Sequence, residues 1–192
     1  MDGLKKIFQK NLTGKKVLLL FVLTNLLYSL MLLVTIPKTI SFSNGMKLLD
    51  MMPLGYDSIY ITTLFDALGE KGRAVYLYEQ LPIDMIYPFF FGLSYCLLIA
   101  YFLKKLNKLN APYSYLCLLP IIAGIADYGE NLGIITMLNN YPDLSQTAMS
   151  GTSILSVIKS TATTVFFVSL IITITIVGVK WLYRNKYSDS RN

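Results

Sequence analysis

Four apolar stretches of roughly twenty residues constrain this chain most, because a helix of that length spans the hydrocarbon layer of a bilayer. Only 15% of the residues are charged, against about 25% in ordinary soluble domains. A soluble domain with this number of residues would not bury so much apolar surface. The sequence therefore predicts an all-α integral membrane protein, with the 192 residues forming one membrane domain arranged as a four-helix bundle.

The ends of the apolar stretches define the predicted spans. We place the spans at about residues 17–36, 83–103, 113–138 and 161–179. Pro37 is expected to end the first span, since proline lacks the N–H that a continuing helix needs. Trp181 and Tyr183 follow the last span, at a position where aromatic rings anchor helices to the membrane interface.

Lysine and arginine are distributed unevenly over the connecting segments, which predicts the orientation of the chain. Residues 1–16, the connection between spans two and three, and the segment after span four hold twelve of them. The outer connections hold four, all within residues 37–81. Basic residues are retained on the cytoplasmic side, so we expect a multi-pass protein with both ends in the cytoplasm. These basic residues would orient the chain and meet anionic headgroups, and we expect no nucleic-acid partner.

The loop between spans one and two is too long to lack secondary structure in a compact protein. Asp57 is suited to cap the start of a helix over residues 58–68, and Gly69 to end it. Tyrosine is frequent in this loop, which is typical of short amphipathic helices at the headgroup level. We expect these helices to form an outer lid over residues 42–81, or only to plug the end of the bundle.

Span three carries ionisable residues at membrane depth, where a charge costs about 2.5 to 3.5 kcal/mol. Asp127, Glu130 and Asn131 have the spacing i, i+3 and i+4 and so share one face of the helix. Gly129 and Gly133 form a GxxxG stripe on another side, which permits close approach of a second helix. One side of span three is therefore expected to carry carboxylates, and a neighbouring side to pack tightly.

Residues of other segments are expected at the same depth, in the outer half of the membrane. They combine with span three into a hypothetical ligand-binding site of Arg73, Asp84, Tyr87, Asp127, Glu130, Asn131 and Lys159. In a structural interpretation, Lys159 pairs with Glu130 or Asp127, and Arg73 pairs with Asp84. In a functional one, the acids outnumber the cations and one acid remains free to bind a ligand. We favour the functional interpretation, because ionisable residues inside a membrane most often serve function.

The composition excludes several classes of chemistry. There is no histidine, which removes the Ser-His-Asp triad, His-ligated zinc and His-ligated haem. Cys96 and Cys117 lie inside spans without a C-x-x-C pattern, which argues against a thiol oxidoreductase. No metal-binding motif is present, and we expect neither a metal nor a cofactor.

Three functions remain after these exclusions. The first is binding or transport of a lipophilic or cationic small molecule, with membrane lipid as the surrounding partner. The second is an intramembrane enzyme that uses carboxylates as acid and base on a lipid or isoprenoid. The four spans and the large outer segment of this chain resemble the topology of sterol-isomerase-type proteins. The chain departs from those proteins in lacking histidine. The third is an accessory subunit that meets a homo-oligomeric or other membrane partner through Gly129 and Gly133.

Overall fold

The protein is helical, without strands, in the part of the chain that the structure, a computed structural model, describes (residues 12–189). Four helices are long and apolar enough to cross a membrane: Gly14–Ile40, Ser58–Lys105, Tyr113–Asn140 and Gln146–Arg184. The all-α class and the four apolar helices predicted from the sequence are confirmed. Four such helices fit a multi-pass membrane protein.

The first helix, α1, spans Gly14–Ile40 and does not end at Pro37, so that prediction is wrong. A π-helical turn over Met31–Thr35 precedes a short α-helical segment, Ile36–Ile40, and the proline stands in the first turn of that segment. Proline is tolerated there, because the first N–H groups of an α-helical segment need no partner within it. The wide π turn thus lets the helix continue past the proline.

A second helical run extends from Ser58 to Lys105. It consists of α2 (Ser58–Val75), a π turn (Tyr76–Gln80), α3 (Leu81–Asp84) and α4 (Tyr87–Lys105). Asp57 caps the start of α2, because its carboxylate accepts a hydrogen bond of 2.7 Å from the Tyr60 N–H. Gly69 has a φ of +60°, which bends α2 at a position where glycine is the residue least strained.

The two π turns lie side by side. Thr35 ends the first turn and Gln80 ends the second, and the buried Thr35 hydroxyl donates a hydrogen bond to the Gln80 side-chain oxygen. Pro82 follows its π turn as Pro37 follows the other. The two proline-containing stretches are therefore joined by a polar contact inside the protein.

The last two long helices are α5 (Leu119–Asn140) and α6 (Gln146–Asp189). A 3-10 helix over Tyr113–Leu118 leads into α5. The connection between the predicted third and fourth spans is mostly helical, because α6 begins at Gln146 and not near residue 161. Thr152 and Leu155 in this first part of α6 pack closely against glycines of α5, and such packing leaves no signal in a hydropathy pattern.

The long helices pack in the order α1, α4, α5, α6, and the last two have the most extensive contact. Gly124 of α5 lies so close to α4 that an added Cβ would stand 2.8 Å from the Pro88 carbonyl oxygen. The glycine stripe of α5 faces α6: a Cβ on Gly133 would stand 2.0 Å from Thr152 Oγ1, and one on Gly129 2.8 Å from Leu155 Cδ1. By contrast, α1 and α6 have almost no direct contact.

Residues 41–57 connect α1 to α2 and lie across one end of the helices, here called the loop end. Leu48 and Leu49 are fully buried at this end, packed with residues of α2 such as Phe65. Three residues of α6 at intervals of three hold the loop through its main chain. Ser153 Oγ accepts from the Tyr56 N–H (2.9 Å), Ser156 donates to the Met52 carbonyl (3.0 Å) and Lys159 to the Asp50 carbonyl (3.3 Å).

Candidate functional site

The polar face of α5 points into the protein. Asp127, Glu130 and Asn131 are all buried, and Glu130 has 0% exposure. The i, i+3, i+4 spacing brings the three side chains to one side of the helix. The face carries two carboxyl groups in surroundings where an uncompensated charge is costly.

Lys159 of α6 supplies the opposite charge. Its ammonium nitrogen lies 3.2 Å from Asp127 Oδ1 and contacts Glu130 Oε2 directly. It also donates to the Asp50 carbonyl oxygen at 3.3 Å. An ammonium group has three N–H donors. Lys159 therefore donates two hydrogen bonds and makes an ion contact with Glu130, so its charge is already paired within the protein.

Asp50 is a member of the site that the sequence analysis missed. Its carboxylate accepts a hydrogen bond of 2.8 Å from the Tyr76 hydroxyl, while its backbone carbonyl accepts from Lys159. It stands in a 3-10 turn, Leu49–Met51, directly after two fully buried leucines. An acid inside an apolar stretch of a loop was the signal that could have indicated it.

Asp84 ends α3 and is 4% exposed. Its backbone carbonyl accepts from the Asn131 amide at 3.3 Å. Within residues 12–189, no group donates a hydrogen bond to its carboxylate and no cation pairs with it. A buried carboxylate without a protein partner marks a place for a ligand or a proton.

The expected pair of Arg73 with Asp84 does not form. Arg73 donates to the Phe65 carbonyl at 2.8 Å and lies over the Tyr141 ring, 4.5 Å from its centroid. Arg73 is thus held at the loop end by α2 and by the residue that follows α5. Of the seven residues predicted for the site, it is the one that the structure places outside the cluster.

A cavity of about 730 Å³ adjoins the cluster. Its polar wall contains Asp50, Asp84, Asp127 and Lys159, whereas Glu130 lies behind this wall. Every long helix and the loop contribute to the lining, which consists of Asn25, Tyr28, Met31, Leu32, Ile36, Asp50, Met51, Pro53, Asp84, Tyr87, Phe91, Tyr95, Ala123, Asp127, Lys159, Ser160, Thr163, Thr164 and Phe167. This volume is within the range of small-molecule sites.

Aromatic rings surround the acidic wall. Tyr87 and Tyr28 are stacked with their ring centroids 5.4 Å apart, and Phe91 and Tyr95 lie 4.8 Å apart. All four line the cavity. Ring faces attract cations as well as apolar groups, so the lining suits a positively charged, lipophilic molecule.

The buried polar atoms near the cluster are incompletely satisfied. Among residues 12–189, the Tyr56 hydroxyl and the Asn131 side-chain oxygen find no hydrogen-bond partner, and Glu130 has its ion contact with Lys159 but no hydrogen bond of good geometry. Burial raises the pKa of Tyr56, and the nearby Glu130 carboxylate raises it further, so its phenol stays neutral. Several polar atoms of the cluster therefore remain able to form further hydrogen bonds.

The charges of the cluster do not balance. Four carboxyl groups (Asp50, Asp84, Asp127 and Glu130) are gathered around one ammonium group, Lys159, among the residues that the structure describes. Removing Arg73 from the cluster and adding Asp50 makes the acidic excess larger than the sequence indicated. No three acidic or cysteine side chains in the described chain are placed so as to hold a metal ion.

No family model, curated protein or solved structure matches this chain.

Proposed function

We propose that this chain binds or transports a lipophilic, positively charged small molecule in the cavity beside Asp84 and Asp127. The observation that carries the proposal is the Asp84 carboxylate, which is buried, lines the cavity and has no protein partner among residues 12–189. Such a group requires a positive partner or a proton, because burial of an isolated charge is costly. A ligand ammonium group supplies that partner.

The acidic excess favours a cation over an anion. Lys159 is already paired with Asp127 and Glu130, so the described residues of the cluster offer no unpaired positive group to an anionic ligand. The aromatic rings of Tyr28, Tyr87, Phe91 and Tyr95 would contact the apolar groups of the ligand and the edge of its charge. The cavity therefore offers both of the interactions that a lipophilic cation uses.

Thermal unfolding of the detergent-purified protein tests this proposal. We expect tetraphenylphosphonium to raise the unfolding midpoint by roughly 5 °C at saturating concentration, as mass action predicts for a ligand of the folded state. Tetraphenylborate is nearly identical in shape and opposite in charge, and it should have no such effect. Asp84→Asn should abolish the response, whereas Asp143→Asn, in the exposed loop before α6, should preserve it. An unchanged response in both Asp84→Asn and Asp127→Asn would refute the proposal.

The proposed orientation places both ends of the chain in the cytoplasm and the loop end outside. The argument is the lysine and arginine distribution, which follows the positive-inside rule. In that orientation the cavity lies in the outer half of the membrane, beneath the loop of residues 41–57 as its cover. A ligand would then reach the site from the outer leaflet.

A second candidate function is an intramembrane enzyme. The observation that favours it is that Asp84 and Asp127, two of the three acids that line the cavity, differ in their surroundings: among the described residues, Asp127 has a cation beside it and Asp84 has none. Two acids in different environments can divide the roles of acid and base on a lipid or isoprenoid. Mass spectrometry of membrane lipids incubated with the wild type and with Asp84→Asn distinguishes this candidate, because binding alone changes no lipid.

The third candidate, an accessory subunit, would need a different surface from the one first considered. Gly129 and Gly133 contact Leu155 and Thr152 of α6 within the same chain. A homo-oligomeric or membrane-protein partner would therefore dock on another helix face. Retention of a partner through purification in mild detergent would favour this candidate.

A further inference from the structure

We infer that the cavity is a slot open sideways to the bilayer between α1 and α6, and that its ligand is an amphiphile with a cationic head and an apolar tail. The inference rests on the proposed function and adds the class of ligand and its route. The head would lie against Asp84 and Asp127, and the tail would leave through the slot into the acyl chains.

The packing of the helices leaves this slot. Among the long helices, α1 packs mainly against α4, through contacts such as the Thr24 hydroxyl with the Phe90 carbonyl (3.3 Å) and the Tyr95 hydroxyl with Asn25 (3.3 Å), and its Ile36–Ile40 end packs against α2. α6 is held mainly by α5. Because α1 and α6 scarcely touch each other, the space between these two helices is not closed by contacts between them. Both helices nevertheless line the cavity.

The exposure of the lining residues shows where the cavity meets its surroundings. Tyr28 and Leu32 of α1 are 41% and 43% exposed, and Phe167 of α6 is 36% exposed, although all three line the cavity. The lining residues of α3 and α5, Asp84 and Asp127, are buried. A residue that is both lining and exposed stands at an opening, so these residues place a mouth between α1 and α6. Pro53 of the loop also lines the cavity and is exposed.

The chemistry changes along the slot in the order that an amphiphile requires. Carboxyl groups stand at its inner end, and the apolar side chains of Leu32 and Phe167 stand at its mouth. The tail would remain in contact with apolar groups throughout, since Leu32 and Phe167 belong to stretches long and apolar enough to cross the hydrocarbon layer. A small hydrophilic cation would not enter through such a mouth, because it would have to cross hydrocarbon to reach it.

Photo-crosslinking in phosphatidylcholine vesicles tests the inference. Two probes are used, each a hexadecylamine with one diazirine, placed beside the amine in the first and at the end of the tail in the second. We expect the first to label the peptide that contains Asp84 and Tyr87, and the second to label the mouth, at Leu32 and Phe167. Asp84→Asn should lower both signals about tenfold, the effect of losing roughly 1.4 kcal/mol of binding.

A variant of the mouth provides a second readout. Thr164 lines the cavity at its exposed edge, and Thr164→Trp should fill the slot and reduce labelling by the tail-end probe. Val168→Trp is the matched control, because Val168 is exposed on the same helix and does not line the cavity. The control should label as the wild type does.

The outcomes separate this inference from the proposed function. Tail-end labelling at the inner residues Phe91 and Ala123, with dependence on Asp84 intact, would mean an enclosed pocket; it would overturn the slot while leaving cation binding in place. Equal labelling of Thr164→Trp and the wild type would also overturn the slot. Labelling that neither Asp84→Asn nor an excess of unlabelled hexadecylamine reduces would overturn cation binding itself.

Discussion

Lys159 of α6 and Glu130 of α5 form an ion pair in which the carboxylate has no exposure to its surroundings. The same ammonium group contacts Asp127 at 3.2 Å. The pair joins the two helices that pack most extensively, at the level where the loop is attached to α6. Glu130 is fully buried and Lys159 is partly buried, so removing one of them has a different effect from removing both.

Lys159→Met should lower the free energy of unfolding by about 3 kcal/mol, because it leaves buried carboxylates without their cation. Adding Glu130→Gln to this variant should recover part of the loss. Chemical or thermal unfolding in detergent measures both effects as a double-mutant cycle. Lys180→Met, at an exposed position further along α6, is the control and should be near neutral. Strictly additive effects of the two substitutions would show that the pair contributes nothing.

Gly133→Ala should destabilise the protein by roughly 1–3 kcal/mol, because the new Cβ would stand 2.0 Å from Thr152 Oγ1 and push α5 away from α6. Gly151→Ala is the matched control, since its Cβ would meet nothing within 4 Å. Alanine favours a helix over glycine by about 1 kcal/mol, so the control should be slightly stabilising. Thermal unfolding midpoints of the two variants should therefore move in opposite directions; a shared direction would contradict the close packing.

Asp57→Ala should cost about 1 kcal/mol, because the Tyr60 N–H loses its acceptor at the start of α2. Asp57→Ser keeps a side-chain oxygen at this position and should retain most of the stability. The comparison is made by unfolding in detergent, with helix content followed by circular dichroism. If the serine variant is as unstable as the alanine variant, the stabilisation arises from the charge and not from the cap.

Thiol labelling checks the proposed orientation. In a background in which Cys96 and Cys117 are replaced by alanine, Asp143→Cys should react with a membrane-impermeant maleimide on intact cells. Lys108→Cys, in the connection between α4 and α5, should react only after the membrane is permeabilised. The reverse pattern would place the basic segments outside and contradict the positive-inside assignment.

Much of the fold could be predicted because it depends on local patterns. The four apolar helices follow from the length of their apolar stretches, and the shared face of Asp127, Glu130 and Asn131 follows from helical periodicity. The cap at Asp57 also depends on residues that are near in sequence. In these cases the deciding interaction lies within a few positions of the residue concerned.

The features that could not be predicted depend on contacts between distant segments. α1 continues past Pro37 because a π turn accommodates the proline, and that turn contacts a second π turn through Thr35 and Gln80. Arg73 lies outside the cluster because it packs on the Tyr141 ring and donates a hydrogen bond to the Phe65 carbonyl. Asp50 was indicated only by its position in an apolar stretch of the loop, and the contact that brings it to Lys159 is made by its backbone carbonyl, which every residue has.

The attachment of the loop to α6 has a consequence for how this protein could diversify. Ser153, Ser156 and Lys159 hold the main chain at Tyr56, Met52 and Asp50, and main-chain atoms are the same whatever side chain follows. Substitutions among the intervening residues would therefore leave the anchoring atoms in place. Related chains could therefore differ in the side chains of this loop, and so in the lining of the cavity, while keeping the same main-chain hydrogen bonds to α6.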